Sequence, residues 1–387
     1  MATWAPTSAV PATDVSGQPA ATPALRQTPG HPGAHPSRQA AAVPPGGPPA
    51  SRPRHHDMDR RSFTRLTTIA TAVAPGIDWQ RRVQEALDRP STVDASLIAA
   101  MAAVNARLRR VDDLVGAGVR REVEEQLDLT WRLAPELPDP QARRQLATVA
   151  GDIAQLAGWL AFDGGRYQAA ESRYRQGMQA ARMAEDDRLY AYLLASTAHL
   201  LANLGETDEA LACIAVAARV ARRRSSATTQ AHIAVVEANI HARRGDATAA
   251  DRALEQADGW FAQIDLANLP PWLYYFDRAE LLCWHGSVAL RLGRLDAAQA
   301  VLEERLALLD RSLLRERAFA TADLAACHVR RHEVDQGVRL AIEALGMANG
   351  TKSVRVVERV AALRRSLPLG AGWRVLRELD ERLRLAS

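Results

Sequence analysis

The sequence predicts an all-α fold, a right-handed α-solenoid of repeated helical hairpins preceded by a disordered N-terminal leader. Small residues recur at fixed distances from five turn markers along most of the chain. Aromatic residues make up only 5% of the sequence, so the core must consist mainly of alanine, leucine and valine, which suits closely packed helices. The first part of the chain, by contrast, lacks apolar periodicity. The markers are Gly165, Gly205, Gly245, Gly293 and His332.

The leader covers residues 1–57 and is rich in proline, alanine, glycine and serine. A segment of this composition cannot bury enough apolar surface to offset the loss of chain entropy on folding. We therefore expect residues 1–57 to be disordered. Met58 is an alternative start of translation.

Residues 58–90 are interpreted as a linker with one amphipathic turn. Within them, Arg60 and Arg61 are followed by Phe63 and a short, moderately apolar stretch. This pattern is also found in twin-arginine export signals. A long segment precedes the arginine pair unless translation starts at Met58, which weighs against export.

Two helical patterns follow over residues 91–134, with Ser91 or Asp94 as candidate N-caps of the first. Gly116 and Gly118 separate them. The predicted solenoid spans 91–387, with repeats over 139–349. Two shorter helices over 353–386 are expected to cap it, because an open solenoid end leaves an apolar face exposed.

The repeats show a fixed register of small residues around the five markers. Successive markers are 40, 40, 48 and 39 residues apart. Small residues on both helices of a hairpin let the two backbones approach closely. Those seven residues before each marker are Gly158, Ala198, Ala238, Gly286 and Ala325, and those five after it are Ala170, Ala210, Ala250, Ala298 and Gly337.

The copy LAGWLAFDGGRYQAAESRYRQG, residues 156–177, resembles the tetratricopeptide repeat (TPR) at Gly158, Tyr167, Ala170, Tyr174 and Gly177. The other copies depart from the pattern. Arg305 occupies a position where a small residue is expected, and the period of about 40 residues exceeds the usual ~34.

Segments 108–116, 156–174 and 269–293 resemble the C-terminal sensor half of actinobacterial helix-turn-helix transcriptional regulators with TPR arrays. In such proteins a DRRxF segment similar to 59–63 links the DNA-binding domain to the array. Residues 1–57 show no helix-turn-helix pattern. The resemblance therefore implies a regulatory sensor or adaptor without its own DNA reader, acting in transcriptional or secondary-metabolism regulation.

Composition and motifs argue against several classes of protein. The sequence has no G-x-S-x-G, P-loop, dinucleotide or H-E-x-x-H motif, so we expect neither an enzyme nor a cofactor. Cys283 and His285 are two residues apart on a helix and cannot face one ion, so no metal site is expected. Three widely spaced cysteines favour a reducing, cytoplasmic location. No apolar run is long enough to span a membrane.

The resemblance to TPR arrays implies that the first helix of each repeat lines a concave groove. We predict that this groove binds a peptide or partner protein. Amide side chains there can pair with a peptide backbone, and arginines can hold its acidic or carboxyl-terminal end. The predicted binding residues are Asp152, Gln155, Trp159, Asp163, Tyr192, His199, Asn203, His232, Asn239, Arg243, Glu280, Ser287, Arg291 and Arg330, with Phe162 and Phe319 in the same columns.

The alternative is a metabolite-binding accessory protein or enzyme. Its pocket would lie near Trp272, Tyr274, Tyr275, Asp277 and Trp284, beside the insertion in the longest repeat. A further interpretation is that this segment forms no pocket and only packs on the preceding helix. No sequence-specific DNA binding is expected because the formal net charge is only +4. A homodimer is possible.

Overall fold

The computed structural model describes residues 60–222, 225–367 and 374–386. These residues form α-helices and short 3-10 turns, with no strand among them, which confirms the predicted all-α class. Every helix in these ranges is too short or too polar to cross a lipid bilayer. The predicted leader, residues 1–57, lies outside the described residues.

Five helical hairpins make up the central part of the array. The helices are α1 (Arg60–Val73), α2 (Trp79–Asp88), α3 (Ala95–Val115), α4 (Arg120–Leu133), α5 (Pro140–Asp163), α6 (Tyr167–Met183), α7 (Asp187–Leu204), α8 (Thr207–Ala221), α9 (Ala227–Arg243), α10 (Ala247–Phe261), α11 (Arg278–Arg291), α12 (Leu295–Leu308), α13 (Leu314–Arg330), α14 (Val334–Thr351), α15 (Val354–Arg365) and α16 (Arg374–Ala386). The hairpins are the successive pairs from α5–α6 to α13–α14.

The segment interpreted as a linker forms two helices instead. Helices α1 and α2 lie within residues 58–90. Leu66, Trp79 and Val83 are fully buried in the same apolar cluster as α3 to α5. The linker interpretation is therefore corrected for residues 60–88. Their apolar residues are few but fall on one face of each helix, and α1 packs on α3 and α4.

All five turn markers adopt the left-handed backbone conformation. The φ angles are 69° at Gly165, 89° at Gly205, 76° at Gly245 and 80° at Gly293. His332 adopts the same conformation with a φ of 64°. A residue with positive φ ends each first helix, and glycine takes that conformation at the lowest cost. The markers therefore recur because the same helix ending recurs.

Small residues at the predicted positions allow close helix contacts. A Cβ atom added at Gly158 would lie 2.4 Å from Cδ1 of the buried Tyr174. A Cβ atom at Gly286 would lie 2.8 Å from Cδ2 of Leu302. The larger residue of one helix thus fills the space that the glycine of the other helix leaves open.

We predict that Gly158→Ala lowers the free energy of unfolding by about 1–3 kcal/mol, because Tyr174 has no room to move. Gly259→Ala is the matched control, since Gly259 is also helical but has no atom within 4 Å of an added Cβ. That change should raise stability by about 0.5–1 kcal/mol. Urea unfolding followed by circular dichroism measures both. Equal effects of the two substitutions would contradict the packing register.

The array closes on itself between α3 and α13. Arg315 on α13 donates two hydrogen bonds to Asp112 on α3, with N–O distances of 2.8 and 3.0 Å. Both side chains are at most 4% exposed. Helix α3 also packs on α5. The first and last hairpins therefore meet through one helix.

A second closing contact joins the first hairpin to α15. Ser353 donates a hydrogen bond of 2.9 Å to Asp163 at the end of α5. Tyr167 at the start of α6 donates one of 2.7 Å to Glu358. The two sets of contacts narrow the concave side of the hairpins into a deep cavity that stays partly open to solvent.

Candidate functional site

The cavity on the concave side of the hairpins has a volume of about 380 Å³. It lies between the first helices of the hairpins, the end of α3 and one face of α15. Eleven of the predicted binding residues line it: Gln155, Trp159, Tyr192, His199, Asn203, His232, Asn239, Arg243, Glu280, Ser287 and Arg291. Phe319 lines it as well. The predicted groove therefore exists as the wall of a cavity.

The alternative pocket proves to be part of the same space. Tyr274, Tyr275, Asp277 and Trp284 all line the cavity. Trp272 lies behind them in the core, where its ring stacks on Tyr192 at a centroid distance of 6.4 Å. The two candidate sites of the sequence are thus one site.

Three predicted binding residues do not line the cavity. Asp152 is buried and bonded to Arg109, with a shortest N–O distance of 2.6 Å. Asp163 is buried and takes part in closing the array. Arg330 donates to the backbone carbonyl of Leu290 on the neighbouring hairpin. The prediction that these three residues face the groove is therefore wrong. Partners in adjacent helices hold their side chains away from the cavity.

Several charged residues that line the cavity were not predicted from the sequence. Arg305 carried a signal, since it interrupts a column of small residues; it donates to Ala279 O and to Glu316. No sequence pattern pointed to the other missed residues. They lie on helices that do not form the predicted groove, or on groove-forming helices at positions that were not predicted to face it. They are Arg109, Asp112, Asp113, Arg315, Glu316, Asp323, Arg355 and Arg359.

One part of the cavity wall is basic. Arg243 donates a hydrogen bond of 2.6 Å to Asn203, and Arg291 donates one of 3.1 Å to Asn239. Neither arginine has a carboxylate within salt-bridge distance in the part of the chain that the structure describes. Burial lowers the pKa of Arg243 to about 9, and the nearby charge of Arg291 contributes in the same direction. Burial also lowers the pKa of Arg291 to about 10. Both remain charged at neutral pH.

Another part of the wall, which we call the acidic end, consists of Asp113, Glu280 and Glu316, of which Glu316 is paired with Arg305 and Arg315. Tyr274 donates a hydrogen bond to Asp113, and Trp284 donates one of 2.8 Å to Glu280. Burial raises the pKa of Asp113 to about 6. Burial and then the charge of Glu316 raise the pKa of Glu280 to about 7. The acidic end therefore carries both proton donors and acceptors near neutral pH.

Aromatic rings occupy the wall between these groups. The rings of His199 and Trp284 meet edge to face at 5.1 Å, and those of Tyr192 and His232 lie 5.2 Å apart. Burial lowers the pKa of His232 to about 3 and that of His199 well below its usual value. Both imidazoles are therefore neutral.

The two charged parts are separated along helix α11. Glu280 lies in its first turn and Arg291 is its last residue. At a rise of about 1.5 Å per residue, the two Cα atoms are about 16 Å apart along the helix axis. A ligand that touches both would have to be elongated.

The histidines and cysteines of α11 and α13 do not form a metal site. His285 lies 2.9 Å from Asp258, and His328 lies close to Glu333. Within residues 60–222, 225–367 and 374–386, no group of three or more potential ligands could hold a metal ion.

Comparison with known proteins leaves the family open. No protein-family model and no curated protein matches the sequence. Among solved structures, BtubC (BKLC) from P. vanneervenii is similar over 69% of this chain and 95% of BtubC. The sequence identity is 16% and the TM-score is 0.36. A likeness at this level carries no argument about fold or function.

Proposed function

We propose that this protein is a non-enzymatic, cytoplasmic regulatory sensor that binds an elongated ligand inside the cavity. The ligand is a short peptide or a metabolite of that size, with an anionic group at one end. The observation that carries this proposal is the closing of the array around Arg243 and Arg291, two half-buried cations whose side-chain hydrogen-bond partners are amides.

The dimensions of the site support a ligand rather than a docked protein. An extended peptide spans about 3.3–3.6 Å per residue, so about five residues would reach from Glu280 to Arg291. A folded partner needs an open surface to lie against. The contacts of α3 and α15 cover that side of the groove.

The architecture supports the regulatory part of the proposal. We interpret the five hairpins as TPR-like repeats in a right-handed solenoid, as the resemblance to actinobacterial regulators implies. A ligand in the cavity would touch helices of several hairpins at once. Binding would thus favour one arrangement of the array over others, which is the requirement for a sensor.

Affinity selection with mass spectrometry tests the proposal. The full chain is incubated with an equimolar pool of free pentapeptides and, separately, with a small-molecule cell extract. We expect the wild-type protein to retain specific ligands and to release them with unchanged mass. Ser287→Trp should abolish retention, because Ser287 lines the cavity and the indole would fill it.

Ser172→Trp is the control, since Ser172 is exposed on α6. It should retain the same ligands as wild type. Retention that survives Ser287→Trp, or no retention from either source, contradicts the proposed function. Release of a ligand with altered mass would support an enzyme instead.

A further inference from the structure

The basic wall of the cavity contains four arginines from three helices. Arg243 ends α9, Arg291 ends α11, and Arg355 and Arg359 lie on α15. We call these four residues the arginine cluster. All four line the cavity.

Only two carboxylates face the arginine cluster within salt-bridge distance in the described part of the chain. Arg359 lies 2.8 Å from Asp323, and Arg355 lies 3.7 Å from Asp163. Arg243 and Arg291 have the amide oxygens of Asn203 and Asn239 as their partners. Two positive charges of the cluster are therefore left without an ion partner.

Buried donors of the cluster also lack hydrogen-bond acceptors. The Nε atom of Arg243 and the Nη1 atom of Arg355 are buried and make no hydrogen bond with the described residues, and this Nη1 atom is the one that lies 3.7 Å from Asp163. Burial lowers the pKa of Arg243, and the charges of Arg291, Arg359 and Arg355 lower it further. The four guanidinium groups thus lie close enough to repel one another. Such an arrangement is costly unless an anion neutralises it.

We propose that the arginine cluster binds a phosphate monoester in its dianionic form. This inference rests on the proposed function and names the anionic group of the ligand. A phosphate monoester carries about −1.5 to −2 charges at neutral pH and three acceptor oxygens. Its charge matches the two unpaired cations. A single carboxylate would leave one of them uncompensated.

The geometry favours a tetrahedral anion over a planar one. The donors come from two neighbouring first helices, α9 and α11, and from α15. A carboxylate accepts a guanidinium fork in its own plane, whereas phosphate oxygens point in several directions. Donors that come from three helices therefore match phosphate better than a single carboxylate plane.

The surroundings of the cluster indicate what the phosphate is attached to. The Arg355 guanidinium lies 5.2 Å from the Trp159 ring centroid and 4.9 Å from that of Phe319. The His199 and Trp284 rings continue this aromatic wall. A flat ring on the ester would pack against these side chains. The ligand class is thus a ring-bearing phosphate monoester of metabolite size.

Calorimetric titration of the full chain with phenyl phosphate tests this inference. Benzoate serves as the aromatic monocarboxylate and phthalate as the aromatic dicarboxylate. We expect phenyl phosphate to bind at least tenfold more tightly than either carboxylate. Arg291→Gln and Arg243→Gln should each weaken its binding by about tenfold or more, since each removes a charge-assisted contact.

Arg294→Gln is the matched control, because Arg294 lies three residues beyond Arg291 and pairs with Asp251 outside the cavity. It should bind phenyl phosphate as wild type does. Circular dichroism and thermal unfolding establish that each variant is folded. If one of the two cluster variants fails to fold, the binding of phenyl phosphate to the other still tests the inference.

The outcomes separate this inference from the proposed function. If benzoate or phthalate binds as tightly as phenyl phosphate, and Ser287→Trp abolishes that binding, the phosphate assignment is overturned while cavity binding stands. Unchanged phenyl phosphate binding in both cluster variants, or none in the wild type, also overturns it. If the peptide pool and the cell extract yield no cavity ligand either, the proposed function fails too.

Discussion

Replacing Asp112 by alanine is expected to lower the free energy of unfolding by about 3–5 kcal/mol. Asp112 accepts both hydrogen bonds from Arg315, and both side chains are almost fully buried. The substitution leaves the Arg315 cation in the interior without its closest partner. Since this pair joins α3 to α13, the loss should also loosen the closure around the cavity.

Urea unfolding of Asp112→Ala measures the effect, and Asp251→Ala provides the control. Asp251 also pairs with an arginine in a two-pronged contact, Arg294, at 2.6 and 2.8 Å. That pair is exposed, so its loss should cost at most about 1 kcal/mol. The double variant Asp112→Leu, Arg315→Met should be more stable than Asp112→Ala, because no buried charge remains. Similar costs for Asp112→Ala and Asp251→Ala would show that the closing pair contributes no more than a surface pair.

The second large effect has the opposite sign. Arg243→Met is expected to raise the free energy of unfolding by about 1–4 kcal/mol, since an apolar side chain replaces a half-buried charge that has no ion partner. Burial and three neighbouring arginines lower the pKa of Arg243 to about 9. The group is still charged at pH 7, so the cost of burying that charge is present in the native state and absent in the unfolded chain.

Thermal and urea unfolding at pH 7 measure this gain, and Arg244→Met is the control. Arg244 follows directly in sequence, but it is exposed and pairs with Asp208. Its replacement should change stability by less than about 0.5 kcal/mol. A gain in Arg243→Met combined with weaker ligand binding would indicate that the arginine is present for function. If Arg243→Met is destabilised, the cluster is instead a structural element.

Local sequence patterns were sufficient to predict the hairpins. The left-handed helix endings at Gly165 and His332 and the close contact at Gly158 each depend on residues near in sequence. Asp94 does accept from the backbone N–H of Leu97, as its position before an apolar pattern predicted. Backbone conformation and small-residue packing follow from short-range sterics, so a single sequence reveals them.

The same reasoning located most of one wall of the site. Asn203, Arg243 and Arg291 lie in one column of successive first helices and Asn239 lies in another inward-facing column, and helical periodicity places such columns on one face. Asp163 falls in the column of Asn203 and Asp152 in that of Tyr192, but both are held by buried partners. Periodicity gives the face of a helix, whereas the partner of a side chain depends on which helix packs against it.

What the sequence alone determined is therefore the all-helical class, the repeat register and the columns that face inward. Only the tertiary structure showed that α3 and α15 narrow the groove to a cavity and that Arg355 and Arg359 complete its basic wall. The closing contacts join residues as far apart as Asp112 and Arg315. Small rotations between successive hairpins add up along the array and decide whether its two ends meet. That sum depends on every helix interface together, so no local pattern in the sequence encodes it.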